Sequence, residues 1–128
     1  MLFRSVANNA TKEWEAYASS SYTYCDAKVL SGFWRASIYE SKLLIGRKIG
    51  WGDIAILNGM LATARDNAKR DPALRCTFAE TDFTYEDAER LAAYWKTSTA
   101  EAKTRIELKI LDGMEASLLG WLGKGNPH

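Results

Sequence analysis

Two cysteines, Cys25 and Cys76, and one histidine, His128, are the residues of this 128-residue chain whose side chains most readily do chemistry. The cysteines lack the CxxC spacing of a zinc or redox site and the density of a disulfide scaffold, so they read as two free thiols in a reducing cytoplasm. Cys25 falls in the first turn of an expected helix, where the positive end lowers a thiol pKa, but Asp26 beside it opposes that shift. An inert thiol is expected. With His128 at the last position there is no imidazole pair to ligate a metal and no buried imidazole base. The acidic run ETDFTYEDAE, Glu80 to Glu89, lacks the alternating oxygen ligands and central glycine of a calcium loop. Acids gathered around a helix start are favoured by the dipole alone. No nucleophile, base and orienting residue recur together, so the chain is expected to be no enzyme, with no catalytic residue, metal or cofactor.

The elements that hold these residues are written twice. Residues 22–62 align with 83–123 at a constant offset of 61, without a gap, and seventeen positions are identical. The pairs include Thr23 and Thr84, Tyr24 and Tyr85, Asp26 and Asp87, Trp34 and Trp95, Ser37 and Ser98. Others are Glu40 and Glu101, Lys42 and Lys103, Lys48 and Lys109, Gly52 and Gly113. Each copy carries two helix starts in succession. TYCD and TYED set a threonine three residues ahead of an acid, as a capping box requires, and SIYE and STAE repeat the arrangement with Ser37 and Ser98. One helix is expected over about 24–35 and the next over about 38–50, with Gly52 or Gly113 as a left-handed C-terminal cap. A third helix follows in DIAILNGMLATARDNAKR, stopped by Asp-Pro, with a shorter counterpart in MEASLLGWLG. TKEWEAYASS predicts a helix over about 11–20, and residues 71–82 read as a linker.

These signals predict an all-α protein: two tandem helical-hairpin repeats of about three helices each, packed with approximate internal twofold symmetry into one globular domain over 1–128. Projected at about 100° per residue, the shared apolar positions fall on one face of each helix. Asp26, Lys42 and Lys48, with their counterparts Asp87, Lys103 and Lys109, flank that face. They read as structural pairs whose lysine stems cover the apolar stripe while the ammonium groups find an acid of the same unit, such as Asp26 or Glu40.

The copies differ where the first has Leu43, Leu44 and Gly46 and the second has Thr104, Arg105 and Glu107. A helix apolar on nearly all sides is buried at the centre of the molecule or at an interface. The expected function is therefore a non-enzymatic interaction or regulatory module. Leu43, Leu44, Arg47 and Trp51 would meet a protein partner or a second copy of the chain, as in a homodimer. The alternative is DNA binding. DAERLAAYWKTSTAEAKTRIELKI, a capped helix, a short turn and a second helix, resembles helix-turn-helix proteins in outline and implies Lys103, Arg105 and Lys109 as the phosphate-facing residues. The turn lacks the usual glycine, and Glu101 and Glu107 interrupt the basic face. A formal charge of +1 gives no global field toward nucleic acid or anionic membranes. Charge and glycine break every apolar run before it reaches the roughly 20 residues of a membrane span, and the first residues lack the charge, apolar and cleavage order of a signal peptide. A cytoplasmic protein is expected.

Overall fold

A computed structural model describes the backbone of residues 2–124 and the side chains from Asn9 to Lys124; His128 lies outside the described residues. The fold is all-helical: α1 (Leu2–Ala18), α2 (Tyr24–Trp34), α3 (Ile38–Gly50), α4 (Ile54–Arg70), α5 (Tyr85–Trp95), α6 (Thr99–Leu111) and α7 (Glu115–Trp121), with no strand among the described residues. The bounds of α2 and α5 differ by 61 residues, and so do those of α3 and α6. The caps explain why. Thr23 accepts from Asp26 N–H while Asp26 accepts from Thr23 N–H, and Thr84 and Asp87 do the same. Ser37 and Ser98 cap the following helices. Gly52 and Gly113, at φ 77° and 76°, allow Asp53 N–H to reach Lys48 O and Met114 N–H to reach Lys109 O. That closure needs the left-handed backbone glycine adopts without penalty.

The interior consists of two apolar clusters that share elements. Ala27, Leu30, Ile45, Leu57 and Leu61 centre the first, which also takes Leu111 from α6. Ala88, Leu91, Ile106, Leu118 and Leu119 centre the second, which takes Cys25 from α2. Each copy thus inserts one residue into the core of the other.

Three expectations change. First, the cysteines are not free thiols: Cys25 and Cys76 form a disulfide across a sequence separation of 51, both side chains buried. The spacing rule failed because the partners are brought together by the fold, the first turn of α2 against the stretch that precedes copy two. Second, residues 71–82 are more than a linker. They hold two 3-10 turns, Pro72–Leu74 and Phe78–Glu80, and are fastened by the disulfide and by Lys28 and Tyr24, both of which donate to Glu80. Third, α1 begins well before residue 11 and lies along α3.

Gly46 is what admits α1. A Cβ at that position would stand 1.8 Å from the carbonyl oxygen of Glu13, so the two helix backbones touch. Copy two has Glu107 at the matching position. Its carboxylate instead accepts from Phe78 N–H at 2.9 Å and faces Arg75 at 3.7 Å, holding the 71–82 stretch where copy one holds a helix. Tyr17 of α1 corresponds to Phe78 at the same offset, and the local hydrogen bonding is alike: Ser20 Oγ donates to Tyr17 O and Thr81 Oγ1 donates to Phe78 O, each at 2.6 Å.

Candidate functional site

Two surfaces gather the residues singled out from the sequence. The first is an open groove of about 520 Å³ between α1 and α3, lined by Lys12, Glu13, Leu43, Arg47, Gly50 and Trp51 among others. Leu43 and Leu44 are half-buried; α1 lies along their helix. Arg47 Nε sits 2.6 Å from Glu13 Oε2, bridging the two helices, and this hydrogen bond raises the guanidinium pKa. Trp51 caps the C-terminus of α3 and is 67% exposed. Ile54 and Ile56, at the start of α4, are also exposed. A tryptophan that is two-thirds exposed leaves a large apolar area in water.

The second surface comes from the repeat. Lys42 Nζ lies over the rings of Trp14, Tyr17 and Tyr24, at 5.3, 5.8 and 5.2 Å from their centroids. Lys103 Nζ lies over Phe78 and Tyr85 at 5.3 and 4.9 Å. The identical pairs Tyr24/Tyr85 and Lys42/Lys103 are therefore one interaction made twice, a cation held on a ring face. This differs from the expected pairing of the lysines with acids of their own unit. Asp26 already accepts from the Thr23 backbone and bonds Arg65 of α4 at 2.9 Å. Asp87 bonds Lys124 at 2.5 Å. The capping acids find their cations on or just beyond the third helix of their copy, and the lysines are left to the rings. Lys48 is half-buried near the end of α3.

The basic residues of the DNA-binding alternative are likewise laid on aromatics. Arg105 and Lys109 lie 5.0 and 5.8 Å from the Trp95 ring, while Lys103 occupies the Phe78 and Tyr85 rings. All three side chains lie against rings, and Arg105 remains exposed.

Between the copies sits a group that sequence reasoning missed. Glu115, the first residue of α7, is 8% exposed. Burial above all, then the charges of Asp26 and Asp82, raise its pKa to about 7, against the lowering influence of Arg65. Its counterpart in copy one is Ile54, so no shared motif marked it. Tyr17 is pushed up to about 12, by burial first and then by Asp26. Glu80 moves the other way, to about 2, because Lys28 and the Thr77 backbone donate to it. Among the described residues no group of His, Cys, Asp and Glu is arranged to hold a metal ion, and no helix is long and apolar enough to cross a membrane.

No family model, curated protein or solved structure matches this chain.

Proposed function

We propose that the protein is a non-enzymatic interaction module that binds a protein partner, or a second copy of itself, by burying the groove between α1 and α3. The observation that carries this reading is Trp51, 67% exposed at the groove's end between Gly50 and Gly52. An exposed tryptophan at the end of an open groove is the side chain type most enriched among residues that dominate binding energy. Leu43 supports it from the groove wall, Leu44 lies on the same helix, and the Arg47 and Glu13 pair supplies a polar rim.

The disulfide removes the ground for a reducing cytoplasm and favours an oxidising compartment as the place where the module works. The alternative is DNA binding through α6 by Lys103, Arg105 and Lys109, a helix that also carries Glu101 and Glu107.

Light scattering after size-exclusion chromatography, across a salt series and with and without mixed-sequence duplex DNA, tests the reading. A dimer that salt does not dissolve and that Trp51→Ala returns to monomer supports self-association. A partner complex lost in Trp51→Ala supports the heterologous form. A shift onto DNA that disappears with salt would replace both with the DNA-binding reading.

A further inference from the structure

The second surface runs across both copies, and its chemistry is unlike that of the groove. Tyr39 stacks on Trp14 at 6.1 Å; Trp14 and Tyr24 both face Lys42; Tyr24 donates to Glu80 at 3.3 Å. Two residues before Glu80, Phe78 faces Lys103, which faces Tyr85. The result is a ribbon of rings, exposed except for the partly buried Phe78, with a lysine in each copy, crossing from one copy to the other beside the Cys25–Cys76 bond. Tyr39 and Tyr85 are 58% and 57% exposed, and Trp14 and Tyr24 are 40% and 37% exposed.

Neither Lys42 nor Lys103 has an acid within ion-pair distance among the described residues. Both are half-buried, and ring faces hold their ammonium groups in place without consuming strong hydrogen bonds. An ammonium has three donors. A cation fixed in position, partly desolvated and lacking a counter-charge is organised for an anion before the anion arrives. Glu80 does not cancel either lysine, because its carboxylate is taken by Lys28.

We propose that this ribbon binds an acidic polysaccharide, a linear glycan carrying carboxylates at intervals, with Lys42 and Lys103 each meeting one carboxylate and the tyrosines and Trp14 stacking on sugar rings. Pyranose rings present flat C–H faces that pack on aromatic surfaces, which suits rings left half in water. Two equivalent subsites suit a ligand that itself repeats, since the second contact forms within the complex once the first is made. The spacing of charge decides between polymers. A nucleic acid carries a phosphate on every nucleotide and calls for a continuous basic track. Along the ribbon itself the cations without an acid are Lys42 and Lys103, with the neutralised Glu80 and Lys28 pair beside them, which matches a polymer of sparse charge. The disulfide is compatible with a ligand met outside the reducing cytoplasm.

The test is a calorimetric titration of the full chain with a hyaluronan decasaccharide, a neutral chitin hexasaccharide and a 20-residue oligothymidylate. The uronate oligosaccharide is expected to bind and to weaken as salt rises, and the neutral sugar to bind more weakly. Lys42→Gln and Lys103→Gln should each lower affinity about tenfold, as loss of a hydrogen bond between charged groups implies. Tyr85→Ala and Tyr39→Ala, at exposed positions, should also lower it while leaving the thermal midpoint near that of the parent, which separates binding from folding. Trp51→Ala is expected to leave it unchanged, so failure of the groove reading and failure of this one are told apart. The proposal is overturned by no binding of the uronate oligosaccharide at millimolar concentration, by equal binding of the neutral sugar, or by tighter binding of the oligothymidylate.

Discussion

Replacing Gly46 by alanine adds one methyl group at the tightest point of the molecule. That carbon would lie 1.8 Å from Glu13 O, 2.6 Å from Glu13 C and 2.9 Å from its Cα. All three are backbone atoms, so no side chain can swing aside. Carbon contacts relax only at about 3.5 Å or beyond, and α1 must retreat from α3 by roughly 1.5 Å. Retreat stretches the Arg47 and Glu13 bridge and lifts Tyr17, 8% exposed, from the first apolar cluster. Overpacking typically costs about 1–3 kcal/mol, and more against rigid atoms. The helix preference of alanine over glycine returns about 1 kcal/mol. With three backbone atoms in the way the cost lies at the top of that range, so the expected net loss is about 2 kcal/mol. Gly59 is the control, since it sits within α4 with nothing inside 4 Å of its added carbon. There the same substitution should stabilise by about 0.5–1 kcal/mol. Urea unfolding followed by circular dichroism reads both. A Gly46→Ala midpoint at or above that of the parent chain would refute the close approach of these two helices.

Other perturbations probe the links between the copies. Removing the disulfide by paired Cys25→Ser and Cys76→Ser substitution frees a loop of 51 residues, and chain entropy puts the loss at about 4 kcal/mol; a thermal midpoint unmoved by the substitution or by reductant would count against it. Glu115, whose pKa is raised from 4.5 to about 7 when folded, binds its proton more tightly in the native state. Its favourable contribution is therefore full below about pH 4.5 and lost as pH climbs to about 7. Glu115→Gln should match the parent at pH 4 and exceed it by about 2 kcal/mol at pH 8, after allowance for screening by water; parallel curves across that window would refute the assignment. Glu80 has the opposite sign. With its pKa lowered to about 2, its contribution is present above about pH 4.5 and lost toward pH 2, so Glu80→Gln should be the less stable protein at pH 6 and converge with the parent in acid.

Local signals carried most of the helical outline. Thr23 with Asp26, Thr84 with Asp87, Ser37 and Ser98 cap their helices as their spacing implies, because capping is decided within four residues of chain. What lay beyond was decided by distant contacts. Leu43 and Leu44 announced a helix with apolar sides, but periodicity reveals that a face is covered and not by what; the cover along α3 is α1. Cys25 has Glu86 as its counterpart and Cys76 precedes the aligned stretch, so the repeat offered no hint of their meeting. The lysine and acid pairing failed through competition. Asp26 was committed to the Thr23 backbone and to Arg65, which sequence distance concealed. Trp14 and Trp51, tryptophans without a tryptophan counterpart, and the ring-bound lysines could be named from the sequence, whereas Tyr39 and Glu115, which align with Ala100 and Ile54, had nothing to mark them.

Most of the identity between the copies has one of three physical sources, although Ala55 and Ala116, Gly59 and Gly120, and Lys48 and Lys109 are shared without belonging to any of them. Ala27, Leu30, Ile45 and their partners are buried, and packing alone explains them. Thr23, Asp26, Ser37 and Glu40, with their partners, are capping residues, and helix initiation explains them. Tyr24 with Lys42 and Tyr85 with Lys103 belong to neither group. Their rings are exposed, so burial cannot require them, and the ammonium of each lysine lacks the acid that would make it a structural ion pair. Any stability from a ring and a cation at such sites is small, about 0.5–1 kcal/mol, and an aliphatic stem against an aliphatic neighbour would provide a comparable amount. Gly46 and Glu107 show that the copies were free to diverge even where a whole element docks. That both nonetheless keep a tyrosine under a lysine is what a ligand meeting the same pair twice would require.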